Sequence, residues 1–127
     1  MISIVVPVYK NKESFLNNLR NNIQYFNNYE VIVINDDPAD SLKDSLKEFK
    51  NIILLENKTN IGFSKSVNKG VNEAKNRYIM LLNSDVILTD DNFKTSLNFF
   101  KNNPYLFAVA FAEEEKNKSI TGKNEIF

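Results

Sequence analysis

The chain has 127 residues, 16 basic and 16 acidic, 43% hydrophobic, with no histidine, cysteine or tryptophan. That length suits one domain with a real core, and the balanced charge argues against a nucleic-acid partner, which calls for a basic face. The missing residue types exclude disulfides, thiolate nucleophiles, imidazole bases and metals held by sulfur or imidazole, leaving carboxylates, amides, hydroxyls, Lys, Arg, backbone N–H groups or an oxygen-ligated metal for any chemistry.

The first run, Ile2–Val8, is apolar and β-branched without alternation, as in a strand buried on both faces of a parallel sheet. No basic region precedes it and Pro7 interrupts it, so it does not read as a signal peptide. No stretch is long enough to span a membrane, and a cytoplasmic protein is expected. From Glu13 to about Phe26, Phe15, Leu16, Leu19, Ile23 and Phe26 recur at helical spacing. Glu30–Ile34 is a second strand, ending in Asn35-Asp36-Asp37-Pro38. Asp40 or Ser41 is placed to cap a short helix carrying Leu42, Leu46 and Phe49.

Ile52–Leu55 is a third strand, followed by the polar loop Glu56–Asn60 and Gly62. A helix over about Phe63–Asn76 has Phe63, Val67, Val71 and Ala74 on one face. Gly70 inside it marks close packing or the approach of a ligand. Tyr78–Leu82 is a fourth strand ending in Asn83-Ser84-Asp85. Asp90 or Asp91 then caps a helix carrying Phe93, Leu97 and Phe100, with Pro104 beyond it. Tyr105–Phe111 reads as a fifth strand, and residues 112–127 are left unassigned, with Glu113–Glu115 taken as a solvated charge run.

Strands alternating with helices predict an α/β fold: a doubly wound, mostly parallel sheet with helices on both faces, forming one domain over residues 1–127. In such sheets ligands bind beyond the carboxyl ends of the strands. The loops to search are therefore Pro7-Val8-Tyr9, Asn35-Asp36-Asp37 and Asn83-Ser84-Asp85. Carboxylates gathered at one rim repel one another, unless they hold a hard cation such as Mg²⁺ or Mn²⁺ or accept from ribose and base N–H groups. Turn and cap preferences explain isolated Asp and Asn equally well. Gly62 allows unusual backbone angles at a helix entry, whereas neither a dinucleotide fingerprint nor a Walker loop is present. Lys65 and Lys69 share a helix face and read as solvated. Tyr9 either stacks on a base or covers the sheet edge.

Four pieces, in order over residues 3–88, resemble the family 2 glycosyltransferases of the GT-A fold. They are Ser3-Ile4-Val5-Val6-Pro7-Val8-Tyr9, the Glu30–Asp40 stretch with its acidic loop, Asn60-Ile61-Gly62-Phe63 with Asn68-Lys69-Gly70 and Ala74, and Tyr78–Asp85, which resembles the strand carrying an Asp-x-Asp-type motif. The resemblance implies transfer of a sugar from a nucleoside diphosphate sugar to an acceptor hydroxyl, metal-assisted and inverting, in polysaccharide biosynthesis. It implies that Pro7, Val8 and Tyr9 line the base and that Asp36 accepts from base or ribose. It further implies that Asn35, Asp37, Asn60, Gly62, Asn68, Asn83 and Ser84 belong to the donor site and that Asp85 holds Mn²⁺ or Mg²⁺.

The chain departs from the family pattern in three places. Asn35 stands for the first Asp of the family's acidic pair in an ungapped alignment, while a one-residue shift pairs Asp36 with Asp37 instead. Asn83 stands for the first Asp of Asp-x-Asp. The family's later half, with the acceptor site and the carboxylate base, has no recognisable counterpart between Val86 and Phe127. The expectation is a nucleotide-sugar-binding half, with a carbohydrate, lipid-linked or protein acceptor, and with peripheral membrane association or homo-oligomerisation left open. The rivals are a non-catalytic nucleotide-sugar-binding or assembly module and a receiver-type signalling domain. The receiver places its acidic pair after the first strand, where this chain has Pro7-Val8-Tyr9.

Overall fold

The computed structural model describes residues 1–26, 28–112 and 114, and the backbone of 125–126. Its elements are β1 (Ile2–Val8), α1 (Lys12–Asn22), β2 (Glu30–Asn35), β3 (Ile52–Glu56), α2 (Phe63–Glu73), β4 (Tyr78–Leu81), α3 (Ser96–Asn102), β5 (Val109–Ala110) and β6 (Glu125–Ile126). The chain clusters into two compact units, Met1–Thr89 and Asp90–Phe127.

The first unit is built on a parallel four-stranded sheet of order β3-β2-β1-β4. Every residue of β1 is buried, and β2 is buried from Val31 onward. The unbroken apolar runs of these strands follow from that position, since the central strands have no solvent face. The outer strands β3 and β4 are only partly buried. The chain steps from β1 to β2 to β3 in one direction, then returns through α2 to β4 on the far side of β1. Right-handed crossovers therefore place α1 and α2 on opposite faces.

α2 lies against β1 and β2 at Gly70. A Cβ there would come within 2.6 Å of both Ile34 Cδ1 and Val5 Cγ1. The glycine is thus a packing residue over the core of Val5, Ile32 and Ile34, with Ile53, Leu55 and Ala74 at its border. α1 turns Phe15, Leu16 and Leu19 inward. At the amino end of the sheet Ser3 Oγ donates to Glu30 Oε1 at 2.6 Å, and the Lys75 N–H donates to the same oxygen at 2.8 Å. The Ser3 hydroxyl, with the Lys75 N–H, holds the Glu30 carboxyl below its ordinary range against the opposing effect of burial.

Several boundaries differ from expectation. The helix after β1 ends at Asn22 and finishes in a 3-10 turn, Ile23–Tyr25. The segment around Leu46 is a 3-10 turn, Ser45–Glu48, with Ser41 Oγ accepting from the Lys43 N–H rather than capping an α-helix. α2 stops at Glu73 because Ala74 is extended.

In the second unit Asp90 Oδ1 accepts from the Asn92 N–H, ahead of a 3-10 turn over Asn92–Thr95 and then α3. The expected fifth strand, Tyr105–Phe111, is corrected. Only Val109–Ala110 pair, antiparallel to β6 and outside the parallel sheet. A strand needs a neighbour to take its backbone bonds. Tyr105 and Phe107, 99% and 87% exposed, have their side chains in solvent. The run Glu113–Glu115 lies outside the described residues except for Glu114. No helix among the described residues is long and apolar enough to cross a membrane.

Candidate functional site

β1 lies between β2 and β4, so the carboxyl ends of these three strands share one rim. The pairing runs past the strands: the Asp36 N–H donates to Val8 O at 2.8 Å, and the Leu82 N–H donates to Val5 O at 3.0 Å. The sheet order reverses between β1 and β4, the place where open α/β sheets bind ligands. Pro7 and Val8 are buried within β1 and serve the core. Of that trio only Tyr9, 50% exposed, presents a surface, with Lys10 Nζ 5.3 Å from its ring centroid. Lys10 and Asn11 follow with φ of 60° and 51°. Two consecutive non-glycine residues in the left-handed region make a sharp, costly turn from the sheet into α1.

At the end of β2 the two adjacent aspartates are treated differently. Asp36 is 4% exposed and its carboxylate is turned into the fold. Its Oδ1 accepts from Asn57 Nδ2 at 2.9 Å and from the Ile61 N–H at 2.8 Å, and its Oδ2 accepts from the Gly62 N–H at 2.9 Å. Burial pushes the Asp36 carboxyl up. The bonds from Ile61, Asn57, Gly62 and Ser66 together outweigh it and hold the group below its ordinary value. Asp37 is half-buried, and among the described residues its carboxylate accepts from the Ala39 N–H, at Oδ1 and 3.0 Å. Asn35 is buried, donating from Nδ2 to Asp40 O and Glu56 Oε2, while its Oδ1 accepts from the Asp37 N–H.

The Asp36 bonds explain the loop before α2. Gly62 has φ 92° and ψ 168°, a backbone state that L side chains avoid, and it aims two successive N–H groups at one carboxylate. Asn57, 5% exposed, completes the latch. It also donates to Ser66 Oγ at 3.1 Å and accepts from Lys69 Nζ at 2.8 Å. Lys69 is exposed but tied to the latch through Asn57; Asn60, Lys65 and Asn68 are exposed as well. In the sequence Glu56 and Asn57 stand only as members of a polar loop, and Ser66 carries no signal of its own. A polar residue just past a strand reads as loop, and nothing local shows that its amide will be enclosed.

The β4 side is open. Asn83 and Asp85 are exposed and Ser84 is half-buried, in a turn closed by the Val86 N–H donating to Asn83 O at 3.2 Å. Helix α1 reaches this turn: Asn18 Nδ2 donates to Ser84 O at 3.0 Å and Asn22 Nδ2 donates to Val86 O at 2.9 Å. Among the described residues no group of three or more acidic side chains gathers to hold a cation. What the β4 turn offers is the exposed Asp85 carboxylate, with the exposed Asn83 amide two residues before it. That donor set fits Mg²⁺ or Mn²⁺ of the kind bound by one or two carboxylates with substrate phosphates completing the sphere.

The family model for glycosyl transferase family 2 matches residues 3–125. The poly-β-1,6-N-acetyl-D-glucosamine synthase of Staphylococcus epidermidis is 30% identical over 127 residues, 96% of this chain and 31% of that protein. The minor teichoic acid biosynthesis protein GgaB of Bacillus subtilis (strain 168) is 32% identical over 106 residues, 77% of this chain and 12% of that protein. Among solved structures, Staphylococcus aureus TarS 1–349 superposes with a TM-score of 0.64 at 22% identity, over 81% of this chain and 33% of that one. The mannosyltransferase PcManGT from Pyrobaculum calidifontis, in complex with GDP-Man and Mn²⁺, superposes with a TM-score of 0.67 at 14% identity, over 78% of this chain and 32% of that one. These likenesses show the α/β fold expected from the sequence, that of the GT-A glycosyltransferases. The chain spans no more than about a third of the length of each of these relatives.

Proposed function

Because the chain belongs to glycosyltransferase family 2, we propose that it is the donor-binding part of an inverting enzyme that transfers a sugar from a nucleoside diphosphate sugar to an acceptor hydroxyl, in the building of a polysaccharide. The observation that carries this reading is the rim itself: the exposed Tyr9 ring, the half-buried Asp37 and the exposed Asp85 follow three adjacent parallel strands at the sheet's switch point. Two of the relatives are named for the synthesis of poly-N-acetylglucosamine and of teichoic acid, both sugar-containing polymers.

Each group has a task in this reading. Tyr9 offers a flat face for the base. Asp36 is committed to its loop, so Asp37, with one carboxylate oxygen unused by the described residues, accepts from the ribose or the base N–H. The Asp36 latch sets the Asn60–Gly62 loop beside these groups. Asp85, with Asn83 beside it, would hold Mn²⁺ or Mg²⁺, as the presence of Mn²⁺ with GDP-Man in the mannosyltransferase supports. When bound, such a cation offsets the charge that grows on the diphosphate as the sugar departs. Deprotonation of the acceptor hydroxyl falls to a carboxylate base outside the residues assigned here.

Calorimetric titration with UDP, GDP and dTDP, with and without Mn²⁺, tests the reading. The expected result is binding of one nucleotide that depends on metal and is lost in Asp85→Ala. Absence of binding by any of the three in folded protein overturns it in favour of an assembly module.

A further inference from the structure

The segment after β4, residues 84–89, is neither helix nor strand, and side chains of α1 hold it. Asn18, Asn22 and Tyr25 lie at i, i+4 and i+7, on one face of α1 and the turn that continues it. Asn18 Nδ2 donates to Ser84 O at 3.0 Å, Asn22 Nδ2 donates to Val86 O at 2.9 Å, and Tyr25 Oη donates to Thr89 O at 3.1 Å. The Leu88 N–H donates back to Asn22 Oδ1 at 2.8 Å. Asn22, 3% exposed, thus takes a carbonyl and an N–H two residues apart, the pair that a residue of a neighbouring parallel strand would take.

The two asparagines grip Ser84 O and Val86 O, on either side of Asp85, and leave the Asp85 side chain in solvent. Its backbone is fixed while its carboxylate stays available. We infer that Asn18 and Asn22 are positioning residues for Asp85: they hold it where it meets the cation and the donor diphosphate. This rests on the donor-site reading above. The physical reason is preorganisation, since a ligand on a clamped backbone does not have to be ordered again when the metal arrives.

The test compares Asn18→Ala, Asn18→Gln and Asn22→Leu with the unaltered protein. Nucleotide affinity is measured with and without Mn²⁺, and amide hydrogen exchange is followed at Leu88. Asn18→Ala is expected to lower the metal-dependent part of nucleotide affinity about tenfold. Its metal-free nucleotide affinity and its melting temperature should stay unchanged, a split that general loosening of the fold would not give. Asn18→Gln, which restores a donor, should recover most of the loss. Asn22→Leu should speed Leu88 exchange and lower metal-dependent affinity further; should it not fold, Asn18→Ala alone decides. Unaltered metal-dependent affinity in Asn18→Ala overturns the inference while the donor site stands. Absence of metal-dependent binding in the unaltered protein overturns the donor-site reading and this inference with it.

Discussion

The β2 and β4 ends of one sheet rim each carry an aspartate, and the fold uses them in opposite ways. Asp36 is sealed inside, with both its oxygens bonded to the protein. Asp85 stands exposed on a turn whose backbone is gripped from α1. At Asp36 the side chain is fixed and organises the backbone around it. At Asp85 the backbone is fixed and the side chain is spared. The contrast shows that a carboxylate at a binding rim can act by shaping a loop or by meeting a ligand. Exposure and partner count tell the two apart, whereas residue type does not.

The strongest way to break this contrast is Asp36→Ala. It removes the acceptor of the partly buried Ile61 and Gly62 N–H groups and one of the two acceptors of the Asn57 amide, which keeps Ser66 Oγ, and each unsatisfied buried group costs ~1–3 kcal/mol. With partial rehydration we expect a loss of about 4 kcal/mol, read as a fall in the denaturant midpoint with unchanged slope. Asp85→Ala should do the reverse. Its unfolding free energy should stay within about 0.5 kcal/mol of the unaltered protein, as at other exposed sites. Its metal-dependent nucleotide affinity should fall about a hundredfold, or roughly 2.7 kcal/mol, in calorimetry.

Gly70→Ala probes the packing that seats α2 beside the latch. The new methyl would meet Val5 Cγ1 and Ile34 Cδ1 at 2.6 Å. Overpacking of ~1–3 kcal/mol exceeds the ~1 kcal/mol that alanine gains in a helix, so thermal melting should show a net loss of about 1 kcal/mol.

The smallest effect is acid sensitivity. The folded Asp36 pKa lies below its ordinary 3.8. Its ionised form therefore adds stability that is fully present above that value and lost as pH falls through the folded pKa. Denaturant midpoints taken from pH 5 downward should drop in the unaltered protein, and part of that drop should vanish in Asp36→Asn. An identical acid profile in the variant would show that the latch does not depend on charge.

Much of this was legible in the chain. The runs Ile2–Val8 and Glu30–Ile34 lack alternation because both faces of those strands are buried, and that alone implies a covered parallel sheet. The strand-end rule pointed to loops that the fold brings to one rim, and Gly62 announced its backbone state. Tyr105–Phe111 misled because a continuous apolar run shows that a strand could form, not that an edge of the parallel sheet will be there to pair with it. Pro7 and Val8 were expected both in a buried strand and beside the base; the structure gives them to the core and leaves only Tyr9 at the surface.

Composition and pattern determined the α/β class, the order of the first four strands along the chain, and a chemistry confined to oxygen and nitrogen groups. Those properties are set by local spacing, which the sequence carries directly. The division of labour between Asp36, Asp37 and Asp85 was decided only in three dimensions. It depends on Asn57, Ile61 and Gly62 arriving at the Asp36 carboxylate from 21 to 26 residues away, and on Asn18 and Asn22 reaching across 64 to 66 residues to the backbone carbonyls on either side of Asp85. Partners so distant along the chain leave no periodic trace, because an amide that will be buried reads the same as one left in water.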